Sequence, residues 1–284
     1  MPEIPAPNYD YNIAEIVKAF KSAVEAIQRE LDSFDATDTS RANTQAALAE
    51  IAKILASLNA ESAKWVEENI PKAARDGVVR AIVSLGVVAT VAEAEKIAKF
   101  SRVNANMVKA VIADTQADLL AVTQNIDRRT KQAVRKAVAD AQRANMAAGI
   151  NGRRTINRDT LAGIRRALGS AADTGIIDAA GRRWKPEVYV DMVTRTKMME
   201  AHKEATINEA LARDVLYGVI SRHGATDSCG VYEGKIVRLT EEGDAQYPTV
   251  ASLKASGKIF HPCCSHLVSP VRVPEKLSNK EAAV

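Results

Sequence analysis

Apolar residues that recur every three or four positions leave a chain little choice but an amphipathic helix. From Tyr11 to Phe34 the positions Ile13, Ile16, Val17, Phe20, Val24, Ile27 and Leu31 follow that spacing. Leu48, Ile51, Ile54, Leu55 and Leu58 resume it beyond Asp35-Ala36-Thr37-Asp38-Thr39-Ser40, a turn rich in capping residues, so two helices joined as a hairpin are expected. Aromatic residues make up 4% of the chain, which favours helices over an aromatic-rich sandwich of sheets.

A third helical segment around Trp65 and Val66 is expected to break at Pro71, and the apolar stretch Val78 to Val91 follows it. Within that stretch the uncharged run Ala81 to Ala92 is 12 residues long. A bilayer needs roughly 20, so the run reads as a buried core helix and no membrane partner is expected. Asn104 is placed to cap a helix reaching about Gln124, and Arg128 to Ala148 forms another that stops at Gly149, with Asn151-Gly152 as a turn. If those two fuse, the product is a helix of about 45 residues and about 65 Å, which suits a scaffold better than a compact enzyme.

Asp159 to Leu168 reads as a short helix ended by Gly169-Ser170, Asp178 to Gly181 as a loop, and Pro186 as the first turn of a helix running to about Leu211. The texture then changes. Val215 to Ser221, Lys235 to Leu239 and Leu267 to Val271 are short, β-branched and separated by Gly, Pro and Asp, the pattern of a small sheet. The expected fold is mostly α with a small C-terminal α+β domain. Its parts are a helical region at 1–125, a basic helical region at 126–211, a His/Cys sheet domain at 212–273 and a tail at 274–284. The first seven residues lack the basic and apolar segments of a secretory signal, so the chain is expected to remain in the cell that makes it.

All three cysteines and all four histidines lie between residues 202 and 266. An odd number of cysteines without an export signal argues against a disulfide framework and for metal or thiol chemistry in one place. Thiolate and imidazole are the ligands that zinc prefers, and close pairs from two loops commonly complete its tetrahedron. The preferred ligand set is Cys229, His261, Cys264 and His266, with His223 in reserve. A catalytic reading of the same cluster, as a zinc-dependent or cysteine hydrolase, has Glu233 or Asp227 as general base or Cys229 paired with His223 or His261. Neither the zinc-deaminase pattern nor His-Glu-x-x-His is present.

Charge is uneven. Residues 127–203 hold 17 Lys and Arg against 8 Asp and Glu, between two mildly acidic regions. Arg128, Arg129, Arg135, Arg153, Arg154, Arg165, Arg166, Arg182 and Arg183 form a candidate surface for DNA phosphates or an acidic protein. No aromatic platform or helix-turn-helix accompanies them, so backbone contact is expected rather than base reading, and a zinc-bearing nucleic-acid-binding protein is a further alternative. Arg195-Thr196 puts a β-branched polar residue inside a helix, and Arg195 is read as an anchor between the helices and the sheet domain.

One ordered set of motifs resembles a known family. It runs from Gly175-Ile176-Ile177-Asp178 through Gly181-Arg182-Arg183-Trp184, Tyr189, Met192-Val193 and Arg195-Thr196. It continues with Val219-Ile220-Ser221-Arg222-His223, Tyr232-Glu233-Gly234-Lys235-Ile236-Val237, Tyr247-Pro248 and Cys263-Cys264-Ser265-His266. The set is similar to the minor capsid proteins of tailed bacteriophages, of the second type and related to the head morphogenesis protein of phage Mu, over roughly residues 125–272. Cys264 and His266 match the family's Cys-x-His, and His261-Pro262 its His-Pro. Cys263, Ser265 and Glu233 stand where the family has Asn, Arg and Gln. The resemblance implies a structural role for Gly234 in the aromatic-x-Gly-Lys turn. It implies a structural head protein, not an enzyme, found in a few copies at the portal vertex inside the head and in the host cytoplasm during assembly. Portal protein, major capsid or scaffolding protein and packaged DNA are the partners it implies.

Overall fold

A computed structural model describes residues 4–33, 41–149, 155, 158–164, 166, 176–177 and 181–275. Helices dominate: α1 (Asp10–Ser33), α2 (Arg41–Ser84), α3 (Val91–Ile97), α4 (Arg102–Ala147) and α5 (Pro186–Leu211), with a short α6 (Val250–Ala255). The strands are brief. β1 (Ile176–Ile177) pairs antiparallel with β2 (Arg183–Trp184), and β3 (Tyr217–Ile220), β4 (Ile236–Arg238) and β5 (Val268–Val271) form an antiparallel sheet of order β4-β3-β5. The chain is therefore mostly α with a small C-terminal sheet, as its patterning predicts. No described helix is long and apolar enough to cross a membrane.

The chain divides into two compact units that interleave in sequence, one of residues 1–9, 66–115 and 192–284, the other of residues 10–65 and 116–191. In the second unit Ile13, Ile16, Phe20, Ile27 and Leu31 of the periodic positions of α1 are buried, Val17 and Val24 are half-buried, and Ala23 is buried beside them. The Trp65 indole donates to the Asn12 carbonyl (2.8 Å), which brings the start of α1 to the middle of α2, as an antiparallel hairpin requires. The Thr123 hydroxyl of α4 donates to Asn59 Oδ1 of α2 (2.6 Å). Residues 158–164 are helical, and Gly163 lets them approach α4, since a Cβ there would stand 3.2 Å from Ala137 Cβ. The expected turns at Asp35–Ser40, Asn151-Gly152 and Gly169-Ser170, residues 178–180 and the tail beyond Glu275 lie outside the described residues.

Three local expectations are corrected, and a fourth that the sequence leaves open is decided. Pro71 does not break its helix but sits inside the 44-residue α2. A proline lacks one helix donor, and here the buried Val66, Ile70, Ala73 and Ala74 around it hold the helix in register. The apolar run after Arg80 is helical only to Ser84. Gly86 takes a φ of 66°, and Val87 N–H to Ile82 O (3.1 Å) with Gly86 N–H to Val83 O (3.0 Å) closes a Schellman cap. The N-cap of α4 is Ser101, whose Oγ accepts from Asn104 N (3.2 Å), while Asn104 lies inside the helix and accepts from Asn208 Nδ2 (3.0 Å). The two helices expected on either side of Gln124 are one, the 46-residue α4.

The first unit is built on a close crossing of α2 and α5. A Cβ on Gly77 would lie 2.1 Å from the His202 carbonyl oxygen, so a side chain there must push the two backbones apart. The Thr206 hydroxyl seals the crossing, 3.0 Å from Gly77 O and 2.8 Å from His202 O. Arg80 is buried and donates to Pro5 O (2.6 Å), and Tyr9 donates to Asp76 Oδ2 (3.2 Å), which fixes the N-terminal segment on α2. Ile207 and Ala210 of α5 enter the core of the sheet with Ile220, Val237, Leu253, Ile259 and Val268. Gly218 in β3 keeps the sheet tight, as a Cβ would meet Val268 Cγ1 at 2.6 Å.

Gly77→Ala is expected to destabilise the folded chain by about 1–3 kcal/mol through overpacking. The measurement is the urea midpoint at unchanged slope, and an unmoved midpoint contradicts the close crossing. A pH dependence follows from His202, which burial, and then the charges of Arg80 and Lys203, push from 6.5 down to about 3. Above 6.5 neither state binds the proton and nothing is lost; below it the unfolded chain takes up a proton that the folded chain refuses. Stability should fall by up to about 1.4 kcal/mol per pH unit on this account, and His202→Gln should flatten the curve. Identical curves for the two proteins would contradict the assignment.

Candidate metal centre

The loops at one end of the β4-β3-β5 sheet carry the sulfur and imidazole groups. Cys229 caps the 3-10 turn Gly230–Tyr232, and its backbone N–H donates to Asp227 Oδ1 (2.9 Å). Across from it, Phe260 and Cys263 both adopt positive φ, 59° and 61°, a region that non-glycine residues enter only when their surroundings insist. Cys264 N–H closes this bend on His261 O (3.0 Å), and Cys263 N–H donates to Thr196 Oγ1 on α5 (3.1 Å). The bend therefore turns His261 and Cys264 together toward Cys229. Ser221 and Leu267 then zip the loop ends, with Ser221 N–H on Leu267 O and Leu267 N–H on Ser221 Oγ, both at 2.9 Å.

Three ligand atoms converge: Cys229 Sγ, His261 Nε2 and Cys264 Sγ all lie within 4.8 Å of one another. Cys229 Sγ is 2.9 Å from His261 Nε2 and 3.9 Å from Cys264 Sγ. A second group, His223, Glu233 and His266, adjoins the first, because His266 Nδ1 stands 3.4 Å from Cys264 Sγ. The remaining nitrogen of each ring meets an acceptor: His261 Nδ1 lies 2.9 Å from Pro262 O, and His266 Nε2 lies 3.2 Å from Glu233 Oε1. Of the preferred set, three members thus share one group and His266 stands in the other. The reserve His223 stacks at a tilt on His266, ring centres 4.2 Å apart.

Glu233 is held by backbone. Its Oε1 accepts from His223 N (3.0 Å) and Ala225 N (3.0 Å), and its Oε2 from Gly224 N (3.2 Å). These bonds bring its carboxyl down to about 2. Burial, then the neighbouring Cys264, pushes the Cys229 thiol up to about 12, and burial followed by the charge of His223 lowers His266. Gly234 follows with a φ of 75°, and a Cβ there would strike the Arg222 guanidinium at 2.4 Å.

The remaining sequence candidates are dispersed. Arg128 and Arg135 are exposed on α4 and Arg129 half-buried there; Arg166 and Arg182 are exposed, and Arg182 lies 5.4 Å over the Trp184 ring. Arg153, Arg154 and Arg165 fall outside the described residues, as does the Arg183 side chain. Part of the basic region is neutralised within α4, where Asp140 receives Lys136 (2.6 Å) and Arg143 (2.7 Å). Arg195 is half-buried on α5, while its neighbour Thr196 supplies the bond to the cysteine bend. Sequence reasoning treated Glu233 as a possible base and missed its place as an acceptor for the 223–225 turn.

Comparison with known proteins gives one match: a family model described as phage minor capsid protein 2 aligns with residues 18–281. No curated protein and no solved structure matches the chain.

Glu233→Ala removes the acceptor of three backbone donors and should loosen the 223–225 turn. Trypsin is then expected to cut after Arg222 faster than in the parent protein, and equal cleavage rates contradict the role assigned to this carboxylate.

Proposed function

Because the chain belongs to the phage minor capsid protein 2 family, we propose that it lies inside the phage head at the portal vertex, in a few copies per particle. Membership over residues 18–281 makes it a structural protein of the virion, and that match is the observation on which the reading rests. In the proposal it joins portal and major capsid or scaffolding protein in the host cytoplasm during assembly. It then contributes to packaging or delivery of DNA.

Geometry supports a structural over a hydrolytic role. Both oxygens of Glu233 are taken up by backbone N–H groups, Cys229 is buried, and Asp227 spends one oxygen on Cys229 N. Helices of 44 and 46 residues supply the extended surface that a head component needs to contact neighbours. Exposed Arg128, Arg135, Arg166 and Arg182 suit phosphate or acidic side chains.

Peptide mass spectrometry of gradient-purified, nuclease-treated and salt-washed particles tests the placement. The expected result is this chain at a few copies per portal; its absence from both procapsids and full particles contradicts the proposal. For the DNA contact, binding to duplex DNA should weaken with salt by about one log-log unit per phosphate neutralised. Arg128→Glu combined with Arg135→Glu should lower that slope by about two. A flat salt response removes DNA from the list of partners.

A further inference from the structure

We propose that Cys229, Cys264, His261 and His266 bind one zinc ion in tetrahedral coordination, with Pro262 O and the Glu233 carboxylate orienting the two rings. The sulfur separation is the first support. Two thiolates at about 2.3 Å from a tetrahedral ion stand about 3.8 Å apart, and the Cys229 and Cys264 sulfurs are separated by 3.9 Å. A sulfur and an imidazole nitrogen on the same ion stand about 3.5 Å apart. The Cys264 to His266 distance of 3.4 Å meets that value, the Cys229 to His261 distance of 2.9 Å needs a small opening of the bend, and His266, which is not grouped within 4.8 Å with the other three, must swing toward Cys229 and His261 to complete the tetrahedron.

The hydrogen bonds on the far side of each ring carry the argument further. A carbonyl and a carboxylate accept and do not donate, so His261 Nδ1 and His266 Nε2 carry the protons. The lone pairs of His261 Nε2 and His266 Nδ1 are then left facing the two sulfurs. Metal-bound histidines use the same outer hydrogen bond to fix tautomer and ring direction. His223 Nδ1 stands 3.8 Å from the same Glu233 Oε1, beyond hydrogen-bond length, and the ring groups with Glu233 and His266 rather than with the sulfurs, so it is left outside the set.

Burial supplies the reason for a metal here. Cys229, Cys264 and His266 are buried, and His261 is half-exposed, giving an ion one open edge of entry. The three strands of the sheet are four, three and four residues long, too little to close a core alone. Two thiols and two imidazoles select zinc among the common divalent ions. On binding, two sulfur–zinc and two nitrogen–zinc bonds form, the two S–H bonds break, and two protons pass to solvent. This inference does not depend on the place of the protein in the phage head.

The test uses the full chain, untagged and purified without chelators, with metal content by mass spectrometry and cobalt(II) titration of the metal-stripped protein. About one zinc per chain is expected, with thiolate-to-cobalt charge-transfer bands and tetrahedral cobalt transitions in the titration. Cys264→Ser and His266→Ala should lose the zinc, whereas Cys263→Ser and His223→Ala should keep it. Should the ligand variants fail to fold, the cobalt spectrum of the parent chain decides. Below about half an equivalent of zinc, or cobalt bound without sulfur bands, the proposal is overturned. Loss of zinc in His223→Ala with retention in Cys264→Ser also overturns it, because the ion would then sit on His223, Glu233 and His266.

Discussion

The approach of α2 to α5 at Gly77 is the constraint from which the rest of its unit is built. No side chain fits between Gly77 and the His202 carbonyl, and Thr206 bonds the two helices at the same level. One to two turns further along α5, Ile207 and Ala210 become part of the sheet's core. One to two turns before the crossing, Thr196 holds the bend that carries His261, Cys263 and Cys264. A single helix therefore sets both the floor of the sheet and the position of its loops, so an error at Gly77 is transmitted to the cysteine cluster.

The cluster in turn answers a problem of size. The strands total eleven residues and the helix beside them six, and two of the twelve buried residues in the core around them are cysteines from the loops. Backbone is bent into positive φ at Phe260 and Cys263 to bring the ring of His261 and the sulfur of Cys264 toward Cys229. Strain of that kind persists when the surroundings over-determine it. Glu233 contributes by tying the 223–225 turn to His266 with one carboxylate. In the proposed zinc-bound form the arrangement is that of a fastening.

Much of this was legible in the residues. The spacing of Ile13, Ile16, Phe20, Ile27 and Leu31 marked α1, and the β-branched runs marked β3, β4 and β5, because burial periodicity survives in a linear pattern. What escaped was decided by neighbours distant in sequence. Pro71 stays helical because buried residues on both sides hold its turn, and Asn104 is drawn into α4 by Asn208, 104 residues away. The Thr90 and Glu93 capping box that starts α3 is legible from its spacing alone. At the site, residue types named the sulfur and nitrogen groups, but only the fold shows that Pro262 O and Glu233 face the outer nitrogens of His261 and His266. The arginines show the reverse: abundant in sequence, they include a stretch of α4 whose charge Asp140 already balances in part.

The central claim is that the sheet domain is closed by an ion held between two sulfurs and two imidazoles. X-ray absorption at the zinc edge on the protein as purified tests it most directly. The account predicts a first shell of two sulfurs at about 2.3 Å and two nitrogens at about 2.0 Å. A first shell of oxygen and nitrogen alone, or no zinc edge at all, would contradict it.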